Sequence, residues 1–360
     1  MTIGAGGRAS AIPLFAQRYQ LQCSACHSVL PELNAFGNAF RAHGYRLPLP
    51  KHGTTGVAMR YQMEWEKDPA SGSPRFTPGA VLLSNADIGA VSAFVHYNLG
   101  AQGGPAGLFL GYLATYNAHT QSLYRLGLFE LPLAQSPGQR LDDLAPYGYY
   151  GAHVGLNDLS LSSPRWGAQA ERTIGSAVAD VTVDFGEFKG AAYGGKPVPT
   201  GETTGANSPE IGMFLRAPLT SGLQVGGDFI TGSRRIVPAG RNTFTDAYQR
   251  EGVFAKFTER NVDLQAEQWW GNDQNSDGFG AQTGSTGGYV RLKYYVTPHA
   301  YVGVRYDAQA VPFITRDMVY YAAFHVTPHA RLLVQELAPV GQPAHLGAAL
   351  TVGFPWPPHL

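Results

Sequence analysis

From about residue 55 onward, apolar and polar side chains alternate with a period of two, the pattern of strands that face two different environments. Val57, Met59, Tyr61, Met63 and Trp65 share one face, while Arg60, Gln62, Glu64 and Glu66 share the other. Val262, Leu264 and Ala266 oppose Asp263, Gln265 and Glu267 in the same way. Val290, Leu292, Tyr294 and Val296 oppose Arg291 and Lys293, and Val302, Val304 and Tyr306 oppose Arg305 and Asp307. These segments run to about ten residues, the length of a tilted membrane-spanning strand. Strands of globular sheets are most often five or six residues long. No amphipathic helices alternate with them, which argues against an α/β fold.

Counting gives about 16 strands, beginning near residues 55, 88, 106, 122, 164, 174, 187, 209, 222, 248, 260, 286, 299, 317, 329 and 344. The number is even, as in bacterial single-chain barrels. The links test the count. With the N-terminus on the periplasmic side, even-numbered links are expected to be tight, and Gly186, Leu219-Thr220-Ser221, Glu259 and the repeats Thr297-Pro298-His299 and Thr327-Pro328-His329 fit. Residues 67–87, 195–208, 233–247 and 271–285 are expected outer loops, rich in Gly, Asn, Ser and Thr. The first half breaks this alternation: 132–163 is a long link on the short-turn side, and the link near 174 is short on the loop side. The sequence ends in Pro355-Trp356-Pro357-Pro358-His359-Leu360 instead of on an aromatic strand residue, and Phe354 and Trp356 are the candidates for a terminal aromatic signal.

A different period precedes the strands. Leu33, Phe36, Phe40 and His43 recur at three- and four-residue steps, which predicts a helix over 31–43 with one apolar stripe. Pro31 in the first turn and Gly44 just past the end are the expected punctuation.

Composition sharpens the picture. Lys plus Arg and Asp plus Glu number 26 each, so the chain lacks the basic surface that nucleic acid requires. Charged residues make up only 14%, against roughly 25% in ordinary soluble domains. Together with 45 Gly, 19 Tyr and 18 Phe, this suits a barrel with its outer surface in lipid. No run of about 18 apolar residues is present, which excludes a transmembrane helix.

The chemistry is concentrated at Cys23-Ser24-Ala25-Cys26-His27. This is C-x-x-C-H, the attachment sequence of c-type haem. On a helical turn two thiols three residues apart face the same way and reach two vinyl groups of one porphyrin. His27 follows as the proximal iron ligand. The chain's 2 cysteines are both in this motif. A structural zinc site needs four protein ligands, and no second ligand pair is present. A redox dithiol needs a βαβ context, and a disulfide across so short a loop adds little stability. One covalent haem c is therefore expected on Cys23, Cys26 and His27, with Phe36 and Phe40 covering the porphyrin. His43 is the candidate sixth iron ligand; His52, His96 or an open position are the alternatives. Haem is attached to such motifs outside the cytoplasm, so an export signal is expected to have been removed, since Met1–Gln17 lacks the apolar core of one.

Phe15-Ala16-Gln17-Arg18-Tyr19, then C-S-A-C-H, then Phe36-Gly37-Asn38-Ala39-Phe40-Arg41 and Gly44-Tyr45 resemble the N-terminal module of fused monohaem cytochrome–porins of bacterial outer membranes, the iron-oxidising type. The motif match covers about residues 14 to 48; beyond it the resemblance rests on length and strand pattern. Relatives often carry another residue, such as Asn, where His43 stands, so the sixth ligand does not follow from the resemblance. It implies a c-type haem-binding segment over 1–52 ahead of an outer-membrane β-barrel over 53–360. It also implies an electron conduit between extracellular Fe(II), or another donor or acceptor, and a periplasmic cytochrome or small redox carrier. The alternatives are a substrate channel with the haem segment as plug or tether, and a haem enzyme with an open sixth position.

Overall fold

The computed structural model describes residues 13–19, 21, 23–29, 32–47, 56–67, 72–100, 106–135, 142–187, 203–238, 240–311, 314–327 and 330–355. Ahead of the barrel lie helix α1 (Pro13–Arg18), the single turn α2 (Cys23–Cys26), the small ribbon of β1 (His27–Val29) and β2 (Glu32–Leu33), and helix α3 (Ala35–Ala42). The barrel strands follow in order: β3 (Val57–Lys67), β4 (Pro74–Ile88), β5 (Val91–Asn98), β6 (Gly107–Asn117), β7 (Ser122–Phe129), β8 (Arg165–Ile174), β9 (Ala177–Glu187) and β10 (Thr203–Pro218). Next come β11 (Leu223–Val237), β12 (Phe244–Glu259), β13 (Val262–Asp273), β14 (Thr283–Thr297), β15 (Ala300–Ala310), β16 (Ile314–Thr327), β17 (Ala330–Pro339) and β18 (His345–Pro355). Each pairs antiparallel with its sequence neighbour, and β18 pairs with β3 to close a ring of sixteen. Closure leaves no edge strand with unpaired backbone groups, the condition for crossing a bilayer with β-structure.

The period of two sorts the side chains as expected. On β9, Asp180, Thr182 and Asp184 are 1%, 0% and 0% exposed, whereas Val181, Val183 and Phe185 are 44%, 43% and 68% exposed. On β14, Tyr289, Arg291, Lys293 and Tyr295 point inward and are buried, whereas Val290, Leu292, Tyr294 and Val296 point outward. Exposed aromatics gather at both rims: Phe76, Trp166 and Trp270 near the long loops, Phe257, Tyr294 and Phe324 near the short turns. An apolar outer belt with an aromatic girdle at each end and a charged interior is the signature of an outer-membrane barrel. This chain is therefore a bacterial outer-membrane β-barrel.

Cross-strand pairs also account for part of the glycine and aromatic content. Gly252 faces Trp269 and Gly303 faces Tyr321 in register on adjacent strands. A Cβ on Gly252 would stand 2.7 Å from the Trp269 indole, and one on Gly303 would stand 2.2 Å from the Tyr321 ring. Each ring lies over a bare backbone on the inner wall, an arrangement that pins strand register.

The strand count agrees with the expectation of 16, but two differences cancel within it. The expected loop 67–87 is mostly strand β4. Its turn-like residues Pro74 and Pro78 lie in the half of β4 that pairs only with β3, so their missing N–H groups cost no hydrogen bond to β5. Conversely, Gly186 makes no turn, because β9 runs on through Glu187. β9 pairs directly with β10, so a strand expected to begin at 187 does not join the ring; residues 188–202 and Trp356 lie outside the described residues. Inserting β4 restores the alternation of links. The two-residue turns 89–90, 175–176, 260–261 and 298–299 all lie at one end, and the long link 130–164 moves to the other.

Candidate functional site

The C-x-x-C-H residues occupy a chain reversal held by its neighbours. Cys23–Cys26 form one helical turn and His27 opens β1. Asn34 then does three things: its N–H donates to the Cys26 carbonyl at 2.9 Å, its Nδ2 donates to the Ala25 carbonyl at 3.0 Å, and its Oδ1 accepts from the Gly37 N–H at 2.9 Å. The last bond is an N-cap, and it explains why α3 begins at Ala35 instead of at the expected residue 31. Pro31 lies outside the described residues. The helix ends as expected at Gly44, in a left-handed conformation (φ 65°), with Tyr45 N–H reaching back to the Phe40 carbonyl at 2.9 Å. That is a Schellman stop, completed by contact between the Tyr45 and Phe40 rings at 5.6 Å.

Gly37 brings helix and motif together. A Cβ there would lie 2.1 Å from the Cys26 carbonyl oxygen, so only glycine lets α3 close directly onto the cysteine turn.

The predicted stripe splits. Phe40 is 4% exposed and joins Leu14, Phe15 and Tyr19 in a cluster with the inward-facing Leu83, Phe94 and Leu110, against which Cys26 and Tyr45 also pack. The haem-motif segment is thus seated inside the barrel, on the wall of β3 to β6. Phe36 is 41% exposed, outside that cluster, with its ring 6.5 Å from Phe40 and nearly parallel to it. His43 caps the far end of α3, its ring 4.3 Å from Tyr116 of β6, and burial lowers its pKa below the usual imidazole value. His96 lies inward on β5 in the same wall, its ring 4.7 Å from Phe109. The side chains of Cys23 and His27, and all of His52, lie outside the described residues.

Two arginines fix the segment at the short-turn end. Arg18 bonds to Asn85 and Asp87 of β4. Arg46 donates to the Gly89 carbonyl at 2.5 Å and approaches Asp87 at 3.7 Å. Replacing Asp87 by Asn is expected to weaken docking by about 2 kcal/mol, since it removes the charge from a hydrogen-bonded ion pair. The measurement is limited proteolysis of residues 1–47: cleavage roughly tenfold or more faster than in the wild type, with the strands still protected, is the expected result. Unchanged cleavage would show that the clamp does not hold the segment.

The donor set fits a covalent haem. Two thiols on one turn are followed at once by an imidazole, with an exposed phenyl ring on the adjoining helix, and no other cysteine competes. The sequence reading gave no role to Asn34, Arg46 or Asp87, and quoted Arg18 and Gly37 only as part of the motif that carries the resemblance. Asn34 left a further signal, as a capping residue just before an apolar period.

No family model and no curated protein matches the chain. Solved structures do. An anion-selective porin from Comamonas acidovorans superposes with a TM-score of 0.58 at 11% identity, over 84% of this chain and 99% of the porin. OmpF of Salmonella typhi gives 0.58 at 9% identity, over 83% and 97%. A loop-deletion mutant of OmpT, an outer-membrane protein of Vibrio cholerae, gives 0.54 at 14%, over 84% and 99%. At these identities the likeness is one of fold: the chain has the sixteen-stranded architecture of porins.

Proposed function

We propose that this protein is an outer-membrane electron conduit of the fused cytochrome–porin kind, with one haem c bound through Cys23, Cys26 and His27 inside the barrel. The observation that carries the reading is the seat of the C-x-x-C-H turn. The segment that carries the turn packs on the inner wall of a closed lipid-facing barrel through Leu14, Phe15, Tyr19 and Phe40, with Cys26 against the same cluster, where a soluble cytochrome module would stand free. A hydrocarbon layer blocks electrons as it blocks ions, so a donor and an acceptor on opposite sides need a redox centre between them. A bound haem supplies that one-electron centre. The protein supplies its position: Asn34 and Gly37 hold the attachment turn, Phe36 offers an exposed aromatic face backed by the buried Phe40, and Arg18, Arg46 and Asp87 anchor the segment near the short turns. Short turns are the periplasmic side of such barrels. A periplasmic cytochrome or small carrier is the partner at that end, and extracellular Fe(II), or another donor or acceptor, is the partner at the long-loop end. His43 is the proposed sixth ligand, an imidazole at the C-terminal end of the helix whose N-terminal end rests on the turn.

A second reading, a solute channel with the haem segment as plug, is the one the porin likeness favours; one relative in fold is described as an anion-selective porin. Proteoliposomes separate the two. With a soluble cytochrome enclosed, external Fe(II) is expected to reduce it through the protein while small sugars stay out. A cytochrome that stays oxidised, in vesicles that swell in small sugars, would overturn the conduit and establish the channel.

A further inference from the structure

We infer that Arg60 and Arg331 are the seat of the haem propionates, two guanidinium groups for two carboxylates. The inference rests on the haem reading above. Buried cations in this lumen are as a rule paired. Among the described residues, Arg165, Arg234, Arg250, Arg291, Lys293 and Arg305 are buried and each has a carboxylate within 4.0 Å. Arg331 of β17 is buried as deeply, yet its Nη1 donates to the Tyr301 hydroxyl at 3.3 Å and no described carboxylate pairs with it. Arg60 of β3 is the second exception: its Nε is buried without a hydrogen-bond partner, and no described carboxylate pairs with it either.

Both arginines border the haem-motif segment. Arg60 stands two residues past Ala58 and registers with Val81, and Ala58 and Val81 belong to the cluster against which Cys26 packs. Arg331 registers with Thr351, and Thr351 with Gln62, the next inward position of β3 beyond Arg60. Helix α1 of the segment lies along β18, β3 and β4, beside both of them. The two guanidinium groups lie in each other's field. Like charges held together in a protein interior are costly unless an anion joins them. A haem c brings two propionate carboxylates when bound, and a guanidinium grips a carboxylate through two parallel N–H bonds. Positive charge beside the ring also favours the added electron, so Arg60 and Arg331 raise the reduction potential.

Redox titration of the holoprotein, with resonance Raman spectra of the propionate bending bands, tests this. In Arg60→Gln with Arg331→Gln, haem stain per chain after denaturing electrophoresis is expected to match the wild type, because neither arginine takes part in the thioether bonds. Reduction is expected to become at least tenfold less favourable, about 59 mV for a one-electron couple, and the propionate bands to shift. A haem-loaded variant with both readings unchanged would overturn the proposal. So would a lower potential with unmoved propionate bands, which would make the arginines a distant field only. A wild type without a haem band would instead overturn the haem reading itself, and this inference with it. Should the double variant fail to fold or load, Arg60→Lys with Arg331→Lys decides, since it keeps both charges and loses the planar fork. The bands are then expected to move while the potential changes less than tenfold; unmoved bands would overturn the seat.

Discussion

Replacing Cys23 and Cys26 together by Ser is expected to abolish covalent haem and to leave the barrel standing. The reason is where each kind of stability resides. Barrel closure rests on sixteen antiparallel pairings, and neither cysteine takes part in them. Cys26 touches the apolar cluster with one small side chain, so a hydroxyl there removes little buried area. Haem attachment, by contrast, depends on both thiols. After denaturing electrophoresis, haem stain is expected to fall to background, while heat-dependent mobility of the barrel is retained. A double variant that still carries haem after denaturation would contradict the assignment of the motif. One that loses the barrel would show that haem loading is a condition of folding.

Gly37→Val should come close to the same loss by a different route. The added Cβ would lie 2.1 Å from the Cys26 carbonyl oxygen and 2.9 Å from both its carbonyl carbon and the Leu33 side chain. Two of those three contacts are backbone, so no rotamer relieves them, and α3 must lift off the cysteine turn. Overpacking of this kind typically costs 1–3 kcal/mol. Here it also breaks the reach of Asn34 to Ala25 and Cys26, which holds the turn in shape. Haem content per chain is expected to drop roughly tenfold or more, with barrel mobility unchanged. Ala in place of Val brings the same first methyl group and is expected to lower haem content in the same direction. Full haem content in either variant would mean that the helix does not need to rest on the turn.

The barrel was legible in the sequence because a membrane strand reports its two environments residue by residue. Asp180 and Val181, or Arg291 and Leu292, differ as sharply in exposure as in polarity. What misled was local chemistry overruled by context. Pro74 and Pro78 read as a loop, yet they sit where β4 has a partner on one side only. Gly186 read as a turn, yet it lies at an irregularity within β9 (φ 84°), where the pairing with β8 shifts register and the strand runs on.

The cysteine motif was legible because its spacing is chemical and does not depend on the fold. Its supports were not. Asp87 looks like any strand aspartate until folding brings Arg18 and Arg46 to it across forty or more residues of chain. The partners of Asp142 and Asp143 were hidden for the same reason. A stretch such as Asp142-Asp143 reads as a solvated loop, and only the closed ring sets it against Arg291, Lys293 and Arg305. Phe36 and Phe40 share a helical stripe, but one wall of a lumen touches only part of a helix, so Phe40 is buried and Phe36 is left exposed.

The most direct test of the central claim is the intact mass of the barrel purified from outer membranes, compared with that of its Cys23→Ser, Cys26→Ser variant. The account predicts that the wild-type chain is heavier by one haem, beyond the small change from the substitutions. Masses that differ by the substitutions alone would contradict it.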